Sequence, residues 1–233
     1  MNSKLDRQQS ADFEVRDVKT NQVLWTRPSL YEAPDVTTEA GSNEMVMTFD
    51  TLYEGVGQRE VKGHPELMSE QKTLRNQMNG FLVEVLDKRS GAYLRGVVVE
   101  VRRGFGWRTA NPPHTTAFGD FALIQGRLDN TTVYRFSTGA RLGEIFGEIM
   151  AGDAASGLFC VSNRDNELVI YDAATVRERK HFTYGARVRF ARFLPARKQL
   201  LVLTADQKVH TISMDDLPAS SMLTHTEPSA ALP

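Results

Sequence analysis

The sequence predicts an all-β fold built from repeated units, and two observations support this prediction. Short runs rich in Val, Leu, Ile, Phe and Tyr recur along the chain, separated by turns that contain Gly, Asn, Asp or Ser. Five of these runs end at positions that can be aligned with one another, namely Asp17, Asp87, Arg135, Asp172 and Ser213. The last three intervals between these positions are 48, 37 and 41 residues, near the length of about 40–45 residues typical of one repeat of four short strands.

The first strands lie in "DFEVRDVKTNQVLWTR" (Asp12–Arg27). We interpret residues 12–18 as the third strand and residues 22–26 as the outermost strand of a first unit. This unit lacks its two inner strands, and a two-stranded ribbon alone is only marginally stable in water. We therefore expect that upstream sequence, or another chain, supplies the missing strands.

The interval from Asp17 to Asp87 is longer than the others and contains an insertion at residues 63–80, "GHPELMSEQKTLRNQMNG". Pro65 suits a first helical position, and Gly80 suits the stop after a helix. Apolar residues recur between them at helical spacing, at Leu67, Leu74 and Met78. The insertion therefore predicts one short amphipathic helix at about residues 65–79.

Four further groups of strands follow, around residues 30–87, 92–136, 141–172 and 178–213. Leu168–Tyr171 and Leu200–Leu203 are nearly continuous apolar runs, which are typical of strands covered on both faces. Gly91 and Gly139 fit turns that need a positive φ. Radially repeated four-stranded sheets form a β-propeller. The sequence thus predicts a β-propeller of four to five four-stranded blades at residues 12–214, partial or fragmentary, with a closed ring of four blades as the alternative.

The segment "VRFARFLPARKQLLVLTADQKVHTISM" (Val188–Met214) resembles a WD40 or YVTN-type propeller repeat. In that pattern an inner strand ends in Phe-x-Pro, and the matching positions here are Phe193, Leu194 and Pro195. Ala205-Asp206 matches the turn before the third strand, whereas the Trp-Asp pair is absent and Tyr171-Asp172 is its nearest equivalent. The resemblance implies an inner strand that ends with a core Phe193.

A second resemblance lies in "RDVKTNQVLW" (Arg16–Trp25), which is similar to the Asp-x-x-Thr-Gly-x-x-x-Trp motif of quinoprotein propellers. Asn21 stands where Gly is usual, and the later units lack the Trp. A quinoprotein-like oxidoreductase needs this Trp in several blades together with clustered acidic metal ligands, and only Trp25 fits. The motif therefore supports a propeller and leaves the subfamily open.

The composition restricts partners and compartment. The chain has 233 residues and a net charge of -1, so no overall field attracts nucleic acid or an anionic membrane. The single cysteine, Cys160, forms no intrachain disulfide, and no apolar run approaches the ~20 residues of a membrane helix. The start lacks the apolar core of a signal peptide, which leaves the compartment open between the cytoplasm and, for a truncated chain, the periplasm. Residues 1–11 and 215–233 are expected to be disordered or flexible.

The residues that could carry chemistry form no recognisable catalytic or metal-binding pattern. The five histidines show no metal-ligand spacing and are His64, His114, His181, His210 and His225. Cys160 lies within the apolar run "LFCVSN", which predicts a buried small residue. The Gly-x-Gly in "RRGFGW" (Arg102–Trp107) is better explained by a tight turn than by phosphate binding. We predict no catalytic residue, metal or cofactor.

The most prominent charge feature is a basic segment from Arg177 to Lys198, in which only Glu178 opposes eight Lys or Arg residues. Arg187, Arg189 and Arg192 lie in or beside a strand predicted to line the central channel, and they form the candidate site for an anion or an acidic protein partner. For the basic segment as a whole, the interpretation that we favour is that these residues lie on solvated strand edges and discourage edge pairing. The favoured function is a non-catalytic interaction scaffold; a quinoprotein-like oxidoreductase and a propeller hydrolase or lyase are the alternatives.

Overall fold

The structure is a computed structural model that describes residues 11–29, 34–38, 42–50, 80–100, 114–126 and 129–215. These residues form five antiparallel β-sheets, which we number in chain order. Apart from one 3-10 turn at Pro195–Arg197, the described residues contain no helix. The all-β class predicted from the sequence is therefore confirmed.

The strands follow one another along the chain within every sheet. Sheet 1 contains β1 (Ala11–Arg16) and β2 (Val23–Ser29). Sheet 2 contains β3 (Asp35–Thr38), β4 (Glu44–Asp50), β5 (Gly80–Asp87) and β6 (Tyr93–Glu100). Sheet 3 contains β7 (Thr115–Phe118), β8 (Phe121–Gln125), β9 (Asn130–Arg135) and β10 (Arg141–Phe146). Sheet 4 contains β11 (Glu148–Asp153), β12 (Leu158–Ser162), β13 (Glu167–Asp172) and β14 (Arg177–Thr183), and sheet 5 contains β15 (Val188–Leu194), β16 (Gln199–Thr204) and β17 (Val209–Ser213).

Four of the five aligned run ends lie at the end of the third strand of a sheet, and the fifth follows β1, which the sequence analysis assigns as a third strand. The four are the last residues of β5, β9, β13 and β17, and the fifth is Asp17. The predicted group boundaries at residues 92, 141 and 178 are wrong, because the strands that begin there are β6, β10 and β14, and each pairs with the strand before it. The tight turn after each third strand forces this hairpin pairing.

The sheets pack face against face in chain order, and an apolar core fills each of the four junctions. The first strands of sheets 2 to 5 lie side by side in the same order, β3 beside β7, β7 beside β11, and β11 beside β15. Four-stranded sheets whose first strands surround a common axis are the blades of a β-propeller. Among the described residues β15 makes no comparable contact with β3, so the sheets form an open series and not the closed ring of four blades considered above.

The two apolar runs taken as strands covered on both faces differ from each other. Leu168, Val169 and Ile170 in β13 are all buried, because sheet 4 lies between sheets 3 and 5. In β16 only Leu200 and Val202 are buried, while Leu201 and Leu203 are half-buried. The prediction is therefore wrong for β16, since within the described residues sheet 5 packs against a neighbour on one face only.

Several predictions concern residues outside the described ranges. The helix at about residues 65–79 lies within residues 51–79, and the terminal segments lie mainly within residues 1–10 and 216–233. Within the described part of the chain, no helix has the length and apolar character needed to cross a membrane.

Candidate functional site

The turns after the third strands share one construction, in which a side-chain oxygen accepts backbone hydrogen bonds. In sheets 1 and 2, Oδ1 of Asp17 and of Asp87 accepts from the N–H groups two and three residues further on, at 2.8–3.0 Å. Asp172 closes the turn of sheet 4 through the N–H of Thr175. The N–H of Thr20 lowers the pKa of Asp17, and the Ser90 hydroxyl lowers that of Asp87, because each bond favours the ionised carboxylate.

The same turn in sheet 3 has Arg135 at the aligned position and takes its carboxylate from another turn. Asp120, between β7 and β8, accepts hydrogen bonds from the N–H of Ser137 at 2.8 Å and from its hydroxyl at 2.5 Å. Nε of Arg135 lies 3.9 Å from Asp120. A spatial neighbour thus replaces the local aspartate, which the sequence alignment could not reveal.

Trp25 joins sheet 1 to sheet 2 at one of these turns. Its Nε1 donates a hydrogen bond to the backbone oxygen of Lys88 at 2.9 Å. Its ring lies over Gly91, which has φ +70°, and a Cβ at Gly91 would lie only 2.7 Å from Cδ2 of Trp25. The motif that resembles quinoprotein propellers therefore has a structural use here, because Trp25 fits a notch that only glycine leaves open.

Positions equivalent to Trp25 in later sheets use other side chains for the same junction. Arg95 in β6 lies with its guanidinium 5.3 Å from the ring centre of Phe136 and pairs with Glu44 at 2.7 Å. In β10 the equivalent residue is Gly143, and Val176 of the sheet 4 turn fills the space beside it. Val176 has φ +53°, a region that β-branched residues rarely adopt. At this junction the strand carries the glycine and the turn carries the large residue. This is the reverse of the arrangement of Trp25 and Gly91 between sheets 1 and 2.

A cleft of about 250 Å³ lies between sheets 1 and 2 and contains a buried ion pair. Glu84 in β5 is fully buried, and its Oε2 lies 2.7 Å from the guanidinium of Arg27 in β2. The guanidinium also lies 5.2 Å from the ring centre of Phe49. An ion pair that joins two sheets in this way fixes their relative position, because separating it would leave a buried charge.

The three arginines of the candidate site lie together at the inner strand of sheet 5. Arg189 and Arg192 belong to β15, Arg187 directly precedes it, and all three side chains are exposed. Arg187 contacts Glu148 at 3.2 Å, and both side chains remain more than half exposed, so this pair is weak. Among the described residues no carboxylate pairs with Arg189, which lies at a register shift of β15.

The rest of the basic segment lies elsewhere, so the eight residues do not form one patch. Arg177, Arg179 and Lys180 belong to β14, the outermost strand of sheet 4, and Arg197 and Lys198 lie at the 3-10 turn. Charges on an outermost strand discourage pairing with other chains, so the edge-protection hypothesis fits β14. β15 is the first strand of sheet 5 and is hydrogen-bonded only to β16, so the same hypothesis applies to Arg189 and Arg192, although β11 of sheet 4 lies beside this edge.

Sequence reasoning missed an apolar row on the outer face of sheet 5. Phe190, Leu203 and Val209 are neighbours across β15, β16 and β17, and the exposed fractions of Phe190 and Val209 are 46% and 61%. The sequence signal was present in "VRFARFL", where Phe190 and Phe193 are three residues apart and so lie on opposite faces of a regular strand.

The other chemically interesting residues form no site. Cys160 is buried, and burial raises the pKa of its thiol to about 12, which agrees with the predicted structural role. Nδ1–H of His181 donates a hydrogen bond to the carboxylate of Glu178 at 2.8 Å, which raises the pKa of His181, and His210 lies against the ring of Tyr184. His114 is exposed. Among the described residues no group of three or more His, Cys, Asp or Glu side chains is placed to hold a metal ion.

Strand order, turn construction and face-to-face packing together define the chain as a β-propeller-type repeat protein. No family model matches the sequence, and no curated protein matches it. The 632 similar chains among solved structures include the following three. The computationally designed protein Ika8 is 13% identical, with 85% of this chain and 51% of that chain covered and a TM-score of 0.47. The computationally designed Ika4 is 15% identical over 57% of this chain and 79% of that chain, with a TM-score of 0.40.

The third similar structure is BamB from Moraxella catarrhalis, which is 13% identical, with 85% of this chain and 55% of that chain covered and a TM-score of 0.47. The chain thus spans about half the length of Ika8 and of BamB. The assignment of the fold rests on the sheet topology described above.

Proposed function

We propose that this protein is a non-catalytic interaction scaffold that binds an anionic partner through Arg187, Arg189 and Arg192. The observation that carries the proposal is the exposure of three arginines at one inner strand, where the ion pair of Arg187 with Glu148 is itself more than half exposed. Guanidinium groups bind carboxylates and phosphates through paired hydrogen bonds. The WD40- or YVTN-type resemblance of this segment supports a scaffold as well, although it identifies no partner.

The strand that carries Arg189 and Arg192 is held in place by core packing on its other face, which favours a preformed binding surface. The neighbours of Arg192 in β15, Ala191 and Phe193, are buried in the core between sheets 4 and 5. A backbone fixed in this way loses little conformational freedom when a partner binds. The arginine side chains then supply charge on a surface whose shape is already set.

The test measures binding of poly-L-glutamate, as an anionic probe, to the intact chain. We expect wild-type binding to weaken with added salt, because exposed charges are screened over about 8 Å at physiological ionic strength. Replacing Arg187, Arg189 and Arg192 with Gln should abolish the binding and leave the circular dichroism spectrum unchanged. The control replaces Arg16, Arg89 and Arg164 with Gln. It removes the same charge from exposed positions in sheets 1, 2 and 4.

Two outcomes would contradict the proposal. If both triple variants lose binding equally, the probe responds to overall charge and not to the arginines at β15. If the first variant binds as wild type does but scatters more light, the arginines protect the protein from aggregation instead of binding a partner.

A further inference from the structure

The outer face of sheet 5 carries a continuous apolar surface, which we call the outer apolar face. It consists of Phe190, Leu201, Leu203 and Val209. Phe190 pairs with Leu203, and Leu203 pairs with Val209, so these three form one row across all three strands. Neighbouring strands lie about 4.8 Å apart, so the row is about 10 Å wide.

Every other apolar face in this part of the molecule is covered by the next sheet. Sheet 4 packs one face against sheet 3, through Val161 and Val169, and the other against sheet 5, through Cys160 and Ile170. The inner face of sheet 5 packs against sheet 4 through Phe193 and Val202. Its outer face is thus the position where a further layer of β-structure would lie, and among the described residues nothing covers it.

The charge beside the outer apolar face is positive. Arg192 pairs with Leu201 in the row next to Phe190, and Arg189 lies at the register shift beside Phe190. Two residues along a strand span about 7 Å. An extended segment that lies along β15 on this face therefore contacts the apolar row with one side chain and a guanidinium with the side chain two residues further on. Apolar side chains and carboxylates at that spacing complement the surface in both shape and charge.

A second copy of the chain fits this face poorly. In a two-fold contact centred on the outer apolar face, Arg189 and Arg192 of both copies would border the same interface. Their like charges would repel each other. The outer face of sheet 1 fits poorly too, because Glu14 there is already paired with Arg16 at 2.6 Å and Thr26 is exposed beside them. An anionic membrane is also disfavoured, because Phe190 and Val209 lie within strands and do not project from a loop.

We propose that the outer apolar face docks an extended, acidic amphipathic segment of a partner protein. This inference rests on the proposed function and specifies the partner: its apolar side chains pack on Phe190, Leu203 and Val209, and its carboxylates bind Arg189 and Arg192. The segment lies on sheet 5 as each sheet lies on the one before it.

The experiment compares two soluble probes, poly-L-glutamate and a short peptide in which Glu and Leu occur at the spacing described above. The informative variant is Phe190→Ser combined with Val209→Thr, which removes exposed apolar surface and keeps every arginine. We expect this double variant to bind the Glu/Leu peptide about tenfold more weakly than wild type and poly-L-glutamate equally well. The triple Arg→Gln variant should lose both probes. Circular dichroism and the urea midpoint verify that each variant is folded.

Each remaining result decides against one of the ideas. Unchanged peptide binding by the double variant overturns the docking surface while leaving the arginine site intact. Failure of wild type to bind poly-L-glutamate overturns the proposed function itself. Self-association of wild type that the double variant abolishes, measured by sedimentation, assigns the face to a second copy instead. Binding to phosphatidylserine vesicles that the double variant loses, without peptide binding by wild type, assigns it to a membrane.

Discussion

Sheets 1 and 5 stand at the two ends of the same series of sheets, yet they end it differently. Sheet 1 packs inward through Phe13, Val15 and Trp25, and its outward face carries the Glu14–Arg16 ion pair. Sheet 5 packs inward through a larger core, and its outward face carries Phe190 and Val209. The outward face of sheet 1 is mainly polar, with Leu24 (43% exposed) beside the ion pair, whereas the outward face of sheet 5 carries an apolar row across all three strands.

This difference teaches that the two ends of the described series present different surfaces. Sheet 1 has only two strands, and it is held to sheet 2 by Trp25 in the Gly91 notch and by Arg27 paired with Glu84. Sheet 5 has three strands and a larger inner core, and its outer face exposes Phe190 and Val209.

The largest effect is expected where sheet 5 joins sheet 4. Phe193 is 6% exposed and belongs to the core between the two sheets. We expect Phe193→Ala to lower the free energy of unfolding by about 3–5 kcal/mol, because it leaves a cavity in a packed core. Urea denaturation followed by circular dichroism measures the change. A loss below about 1 kcal/mol would mean that sheet 5 contributes little to the stability of the chain.

The next effect concerns the notch that holds sheet 1. Gly91 and Gly157 lie in different turns, but each donates its N–H to the aspartate four residues earlier and has a similar positive φ, +70° and +66°, and only Gly91 lies against Trp25. We expect Gly157→Ala to cost about 1 kcal/mol for the positive φ alone. Gly91→Ala should cost at least about 1 kcal/mol more, because its Cβ overlaps the indole ring. Urea midpoints of the two variants provide the comparison, and equal losses would show that Trp25 does not depend on the notch.

A matched pair of substitutions compares the two ends directly. Val15 packs in the core between sheets 1 and 2, whereas Val209 is 61% exposed on the outer apolar face. We expect Val15→Thr to cost about 1 kcal/mol, because it places a hydroxyl in an apolar contact. Val209→Thr should change the unfolding free energy by less than about 0.5 kcal/mol. A large loss for Val209→Thr in a dilute monomeric sample would show that the face is covered within the chain.

The smallest effect is the acid sensitivity of two turns, one in sheet 2 beside sheet 1 and one in sheet 5. The Ser90 hydroxyl lowers the pKa of Asp87, and Lys208, with Thr204, lowers the pKa of Asp206 to about 2, from an ordinary value of 3.8. A lowered folded-state pKa stabilises the fold above the ordinary value, and this stabilisation disappears as the pH falls through the folded-state value. Melting temperatures of Asp87→Asn and Asp206→Asn should therefore differ from wild type near neutral pH and approach it near pH 2. A difference that persists at low pH would mean that these carboxylates act without ionisation.

The three candidate arginines could be located from the sequence, but which of their basic neighbours lie with them could not. The basic segment identified Arg187, Arg189 and Arg192, and strand spacing placed them near an inner strand, where the structure has them. The same segment also contains Arg177 and Lys180, which lie on the outermost strand of a different sheet. Nearness in sequence could not separate these groups, because a turn between β14 and β15 carries the chain from the outer edge of one sheet to the inner edge of the next.

The sequence by itself determined the strand period and the turn positions. These are local properties, since alternation, short turns and residues such as Asp87 and Gly91 act within a few positions of the chain. Only the tertiary structure decided that Asp120 closes the turn beside Arg135, that Trp25 lies on Gly91, and that Leu203 faces outward while Leu168 is buried. Those outcomes depend on which sheet lies next to which, and an apolar strand has the same sequence whether its second face meets a neighbour or remains available to a partner.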